Sequence, residues 1–574
     1  MSSIYWINGP IIKSKDVDNF IMSEMVYVGK KGLLGEVIGI DSDFVTIQVY
    51  ESTTSMKVKE SIKHTGNPLS VELGPGLLGS IYDGIGRPLI NLKETYGSYL
   101  DVGQTMRTLD ADKKWSVTYK VANKDVVKRG DVIASIQETG SIEHRFLAQI
   151  DGVIASECVS GEFTIEDVLV SFESGESFTM SSMWAIRHER PVKSRIDAKV
   201  PLITGQRVID TCFPIVKGGS AAIPGGFGAG KTMLQHQFAK WCDADIIVYI
   251  GCGERGNEMA QVLEEFSSLV DPKTGRTLME RTILIANTSN MPVAAREASI
   301  YTGITFAEYY RDMGYHVAVM ADSTSRWAEA LRELSGRLEE MPAEEGFPAY
   351  LASRLAAFYE RSSFVETLGG EVGSISIIGA ISPQGADFSE PVTQNTQRFI
   401  GSFWALDKNL AYVRHFPSVN YNQSYSEYLP QLQNWYDENL GEEFLIHRQD
   451  LLSILNEETS LMEIVKLIGQ DVLADRQRLT IEMGRVIRVG YLQQNAFHEY
   501  DSSVSLAKQA AMVKLMIYTY KECQKVLAQS IPMSSILATR IFDDLVSLKY
   551  NVDEDLSKFD AYYTKVDSLL ASIE

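Results

Sequence analysis

Apolar and polar residues alternate near the start of this chain. Val45, Ile47 and Val49 interleave with Thr46, Gln48 and Tyr50, the period of a half-buried strand. Gly29, Gly32, Gly35 and Gly39 punctuate neighbouring short runs, so residues 1–70 are predicted to form a small β-barrel. Gly74-Pro75-Gly76 marks a turn and a boundary, and residues 71–110 begin the next domain. Residues 111–185 hold short β-like runs, such as Val132-Ile133-Ala134, broken by glycine and acidic residues; a β-rich insertion is expected there.

The period changes over residues 186–430. Ile246, Ile247, Val248, Tyr249 and Ile250 form an apolar run of the kind a buried parallel strand needs. Residues 282–286 and 317–321 give two more. Met259, Val262, Leu263 and Phe266 between them recur at helical spacing, and Pro292 suits a first helical turn. Alternation of this kind predicts a mainly parallel sheet covered by helices, with ligand sites at the strands' C-terminal ends. Residues 431–574 turn helical, with Leu461, Ile464, Val465 and Ile468 on one face.

Charge and composition narrow the classes. A net charge of −21 over 574 residues makes phosphate neutralisation of a nucleic acid an unpromising role. No apolar run is long enough to cross a bilayer and no secretory signal is seen, so any membrane role is expected to run through partners. Cys158, Cys212, Cys242, Cys252 and Cys523 are scattered and form no Cys-x-x-Cys; reduced thiols in a cytosolic protein are expected.

The chemistry centres on residues 225–232, Gly-Gly-Phe-Gly-Ala-Gly-Lys-Thr, a complete phosphate-binding loop. Gly225, Gly226, Gly228 and Gly230 are expected to let the backbone curl with positive φ and bring its amides to a polyphosphate. Lys231 supplies charge for the β- and γ-phosphates, and Thr232 a hydroxyl for Mg²⁺. Ala221, Ala222 and Ile223 precede the loop as a strand end, and Leu234, Phe238 and Trp241 follow at helical spacing. With Phe227, Ala229 and Met233, the loop supplies the expected nucleotide-binding positions.

Two further groups follow apolar runs. Glu254 and Arg255 sit among glycines beyond Ile250, where a carboxylate polarises an attacking water and a guanidinium orders the phosphate; a solvated pair on a surface turn fits the spacing equally. Asp322 follows the run 317–321. Beside a phosphate loop it reads as a Mg²⁺ ligand, with a helix N-cap as the alternative.

At Gly-Glu-Arg-Gly-Asn-Glu (253–258), Ala-Asp-Ser-Thr-Ser-Arg-Trp-Ala-Glu-Ala (321–330) and Glu-Pro-Val-Thr-Gln-Asn-Thr (390–396) the chain resembles the catalytic A subunit of V-type and archaeal-type rotary ATPases. Residues 204–210 and 289–298 fit the same family, nearly end to end. The resemblance implies an N-terminal β-barrel, a RecA-like α/β nucleotide domain carrying a β-rich bulge, and a C-terminal helical domain. It implies three copies alternating with three B subunits around a central stalk, with peripheral stalks and a membrane sector that passes protons or sodium ions. ATP or ADP with Mg²⁺ would bind where the B subunit lends an arginine finger. Lys231, Glu254 and Arg255 would be catalytic, and Thr232 and Asp322 would serve the metal. The resemblance also implies that Phe416 and Phe497 sandwich the base and that Phe227 lines the same pocket; from the residues alone Phe416 and Phe497 read as core.

Three positions depart from the family. Gly226 stands where Pro or Ala is usual, Ala229 where eukaryotic relatives carry a cysteine, and residues 369–374 form a shorter, less charged loop. A soluble head peripheral to a membrane, in a prokaryotic relative, is the expectation. A RecA-like nucleic-acid motor would need a basic channel, and a non-catalytic ring protein would lack Lys231 or the Glu254 carboxylate.

Overall fold

Seven short strands open the chain, in the order Ser2–Ser3, Ser61–Pro68, Glu24–Val28, Leu33–Ile40, Val45–Val49, Ile11–Ser14, Trp6–Asn8. The alternation read from Val45 decides which side is dry: Val45, Ile47 and Val49 join Val26, Val28, Leu33 and Ile62 in one apolar core. The structure is a computed structural model and describes residues 2–97, 101–469 and 472–573. The chain divides into two compact units.

The first unit holds Met1–Asp197, Lys217–Ser220 and Ala244–Ile400. Beyond the barrel, Trp115–Tyr119, Val132–Gln137, Glu143–Leu147 and Gly161–Phe163 build a four-stranded antiparallel sheet, the expected β-rich insertion. The parallel sheet follows. Ile246–Glu254 lies between Thr282–Thr288 and His316–Asp322, and Val372–Ile381 pairs with the latter. Helices Gly256–Ser268, Val293–Arg311 and Thr324–Arg337 connect these strands. Pro292 is the N-cap of Val293–Arg311 rather than its first helical residue. That helix is buried on nearly every side, because barrel, insertion and sheet all use it.

Polar side chains fix those attachments. Arg187 donates to Glu36 of the barrel (2.8 Å) and to Glu297 of the buried helix (2.8 Å). In the insertion, the His144 ring lies 2.7 Å from Glu138 and 2.9 Å from the Tyr309 hydroxyl, and Tyr310 donates to Glu138 at 2.9 Å. Each carboxylate is buried, so removing its cation or donor would leave an uncompensated charge, a loss of roughly 3–5 kcal/mol for an ion pair.

The second unit holds Ala198–Val216, Ala221–Asp243 and Gly401–Glu574. Residues 225–232 thus share a unit with the helical C-terminal segment. Long helices Glu443–Ile468 and Leu506–Ala528 dominate it. On the first, Leu461 is buried and Val465 half-buried, whereas Ile464 is 40% exposed; the predicted apolar face is only partly used. The side chain of Ile468 lies outside the described part. Arg448 of the same helix caps the carbonyl of Thr211 at 2.9 Å.

Candidate active site

Strand Ser220–Pro224 leads into the phosphate loop, and helix Lys231–Trp241 leads out of it. Within the second unit the strand pairs in parallel with Ser402–Phe403. Only two of the four glycines take the left-handed region, Gly228 (φ +78°) and Gly230 (φ +91°). Gly225 is required by space instead: a Cβ there would stand 2.9 Å from Cβ of Leu406. The Lys231 ammonium bends back over the loop and donates to the carbonyls of Gly225 (2.5 Å) and Gly226 (3.2 Å). Ser418 ties the loop from outside, donating to the Ala229 carbonyl at 2.5 Å. Thr232 lies in the first turn of the helix, whose positive end favours an anion.

A cavity of about 620 Å³ opens beside the loop in the same unit. Gly230, Met233, Gln237, Phe416 and Phe497 all line it. Neither phenylalanine is a core residue: Phe416 is 43% and Phe497 93% exposed. Phe227 is 78% exposed and is not among the residues lining this cavity, contrary to the expectation for it.

The cavity wall is held from behind by a fully buried cation. Arg207 donates to Asp501 (2.5 Å) and to the carbonyls of Tyr491 (2.5 Å) and Gln493 (2.9 Å). Lys549 reaches the Gln493 carbonyl too, at 3.0 Å. Burial pushes its ammonium down to about 8, and the carbonyl oxygens of Val489 and Gln493 accept its hydrogen bonds.

His415, next to Phe416, is pushed down to about 4, first by burial and then by Arg488 and Lys549. Its ordinary value is 6.5, so below that pH the unfolded chain binds the proton and the folded one refuses it. Stability is therefore lost as pH falls from 6.5 towards 4, by about 2 kcal/mol near pH 5. Thermal melting of wild type and His415→Gln should show the variant gaining relative stability between pH 7 and pH 5; a constant gap would contradict this.

In the first unit the strand Ile246–Glu254 runs four residues beyond the apolar run, making Glu254 its last residue. The extension is possible because Gly251 and Cys252 stay in register with the neighbouring strands. Arg255 is the N-cap of the next helix, 60% exposed along its side chain, with Glu258 at 3.6 Å. Asp322 ends the adjacent strand and is buried; Tyr249 donates to it at 3.3 Å. Ser323, not Asp322, is the N-cap of Thr324–Arg337, so the capping alternative does not hold.

The Glu254 carboxyl is pushed up to about 8 by burial, then by the carboxylates of Asp322 and Glu258, with Arg326 opposing. A Cβ on Gly253 would stand 2.9 Å from Cβ of Arg326 and 3.0 Å from Cδ of Arg296, so two guanidinium side chains flank this strand end. Single-residue reasoning missed both arginines, although each lies inside a motif that carried the family resemblance. Their charge was the available signal, but only folding shows that residues 296 and 326 converge on 253.

Residues 205–426 match the model of the ATP synthase alpha/beta family, nucleotide-binding domain, and residues 4–66 that of its beta-barrel domain. Residues 106–187 match the alpha/beta subunit barrel-sandwich domain, and 433–536 the C-terminal domain of V and A type ATP synthase. The V-type ATP synthase alpha chain 2 of Clostridium tetani is 54% identical across 99% of this chain and 97% of its own length. This chain belongs to the V- and A-type branch of the ATP synthase alpha/beta family. Another relative in that branch, from the A-type ATP synthase of Methanopyrus kandleri, is 52% identical over 96% of this chain and 94% of its own. The assembled ATPase of the enteropathogenic E. coli type III secretion system shares the fold, with a TM-score of 0.66 at 21% identity, over 90% of this chain and 100% of that one. The β-barrel, nucleotide-binding domain and helical C-terminal domain expected of the family are all present.

Proposed function

We propose that this ATP synthase family chain is the catalytic A subunit of a rotary ATPase. It hydrolyses or makes ATP and couples that reaction to proton or sodium transport through other subunits. The observation that carries this is the presence of both Lys231, in a complete phosphate loop opening a helix, and Glu254, on a buried strand end. A non-catalytic nucleotide-binding protein would have no use for both.

In this reading Lys231 and the loop amides hold the β- and γ-phosphates, while Phe416, Phe497 and Met233 hold the base. Glu254 orients the attacking water and accepts its proton, for which a pKa raised by burial and neighbouring carboxylates is suited. Arg255 orders the γ-phosphate. Its exposed side chain leaves room for a B subunit to close over it with an arginine finger, in a ring of three A and three B subunits.

The donor set fits Mg²⁺. In this reading Thr232 and Asp322 would each offer the ion a hard oxygen, with phosphate oxygens as further ligands. Bound there, Mg²⁺ would neutralise phosphate charge.

No helix among the described residues is long and apolar enough to cross a membrane. In the proposed reading the head is peripheral, joined to the membrane sector by central and peripheral stalks. The division of the chain at about residues 70, 110, 185 and 430 belongs to the same reading.

Lys231→Met tests it. The assembled complex should lose at least about tenfold in ATP affinity and nearly all turnover. Unchanged ATPase activity would overturn the assignment.

A further inference from the structure

Glu254 follows an irregularity in its own strand. Cys252 pairs with Asn287 and Glu254 with Thr288, so Gly253 is an extra residue, left out of the ladder with φ +75°. An extra residue of this kind re-aims the side chain beyond it. The direction of the Glu254 carboxylate therefore depends on whatever holds Gly253 and its surroundings in place.

Arg296, in the first turn of helix Val293–Arg311, meets this irregularity along both its backbone and its side chain. Its carbonyl accepts a hydrogen bond from the Cys252 thiol at 3.6 Å. Its stem lies over Gly253, where a Cβ would stand 3.0 Å from Cδ and 3.0 Å from Nε of Arg296. Its Nη2 donates to the Ser289 carbonyl at 3.0 Å, and the Ser289 N–H donates to the Glu254 carbonyl at 2.8 Å. Ser289 and Asn290 are exposed, so water competes for that last bond. A charged donor on the other side of Ser289 holds the turn more firmly than a neutral one would. Arg326 is the cation that acts on the charge of Glu254. Arg296 reaches the same residue through the backbone.

We propose that Arg296 is a positioning residue for the reaction, clamping the Ser289 turn and the Gly253 irregularity so that the Glu254 carboxylate stays aimed at the attacking water. The inference rests on the proposed function, since it takes Glu254 as the residue that orients water. Arg296 acts through Glu254 and does not itself touch the nucleotide.

The experiment is a double-mutant cycle in the assembled complex, read by single-turnover ATP hydrolysis with parallel ATP-binding titrations. Arg296→Met keeps a stem over Gly253 and removes the donor. It should slow the chemical step by about 10- to 100-fold, the cost of a displaced catalytic group, with ATP affinity within about threefold of wild type. In the Glu254→Gln background the same substitution should cost less than about threefold, because the residue it positions is already disabled. A loss of equal size in both backgrounds would overturn the proposal. So would ATP binding weakened by about tenfold or more, which would make Arg296 a phosphate ligand. Either result leaves the proposed function standing, whereas normal turnover in Glu254→Gln alone would remove the role of Glu254 on which the inference rests. If Arg296→Met does not assemble, Arg296→Lys decides by the same cycle, since it keeps the charge on a side chain one atom shorter. A loss of about threefold or more confined to the background with Glu254 supports the proposal, and a wild-type rate or an equal loss in both backgrounds overturns it.

Discussion

Replacing Glu254 with glutamine is expected to lower turnover of the assembled complex by at least about 10²-fold while leaving ATP binding intact. Glutamine matches the carboxylate in shape but cannot take a proton from water. Binding should survive for an electrostatic reason. Burial and the carboxylates of Asp322 and Glu258 already disfavour the charged form of Glu254, so a neutral amide in its place introduces no new repulsion. Nucleotide affinity should stay equal or tighten. Single-turnover ATPase assays with parallel binding titrations separate these effects. Normal turnover would sink the water-orienting role, and lost binding would mean that Glu254 holds the strand end rather than the water.

The largest expected effect concerns the missing partner. If, as proposed, a B subunit lends an arginine finger in trans, the chain purified alone should hydrolyse ATP about 10³–10⁵-fold more slowly than the assembled ring. The exposed side chain of Arg255, 60% accessible, is the structural motive, because an ion at the surface is screened by water and salt until a partner covers it. ATPase rates of the isolated chain, before and after titration with purified B subunit, measure this. Full activity from the isolated chain would refute a shared site.

Much of the architecture was legible in the residue pattern, for local reasons. Period-two alternation at Val45, Ile47 and Val49 can bury only one face of a strand, and that face is the barrel core. The phosphate loop was legible because its chemistry is contiguous: strand, glycines, Lys231 and helix follow one another along the chain. Less was legible where contacts are distant. The apolar run ending at Ile250 underestimated its strand by four residues, since Gly251 and Gly253 have poor intrinsic strand preference and the extension is held by the pairing of Gly251, Cys252 and Glu254 with neighbouring strands.

Sequence by itself determined the family, the order of strands and helices, and the residues able to meet phosphate, because each of these depends on side-chain chemistry at fixed spacing. Only the tertiary structure decided that Gly225 is needed for the room it leaves Leu406, that Asp322 ends a strand while Ser323 caps the helix, and that Phe416 and Phe497 face a cavity. Burial, crowding and hydrogen-bond satisfaction are properties of neighbours in space, and most of those neighbours are far apart along the chain.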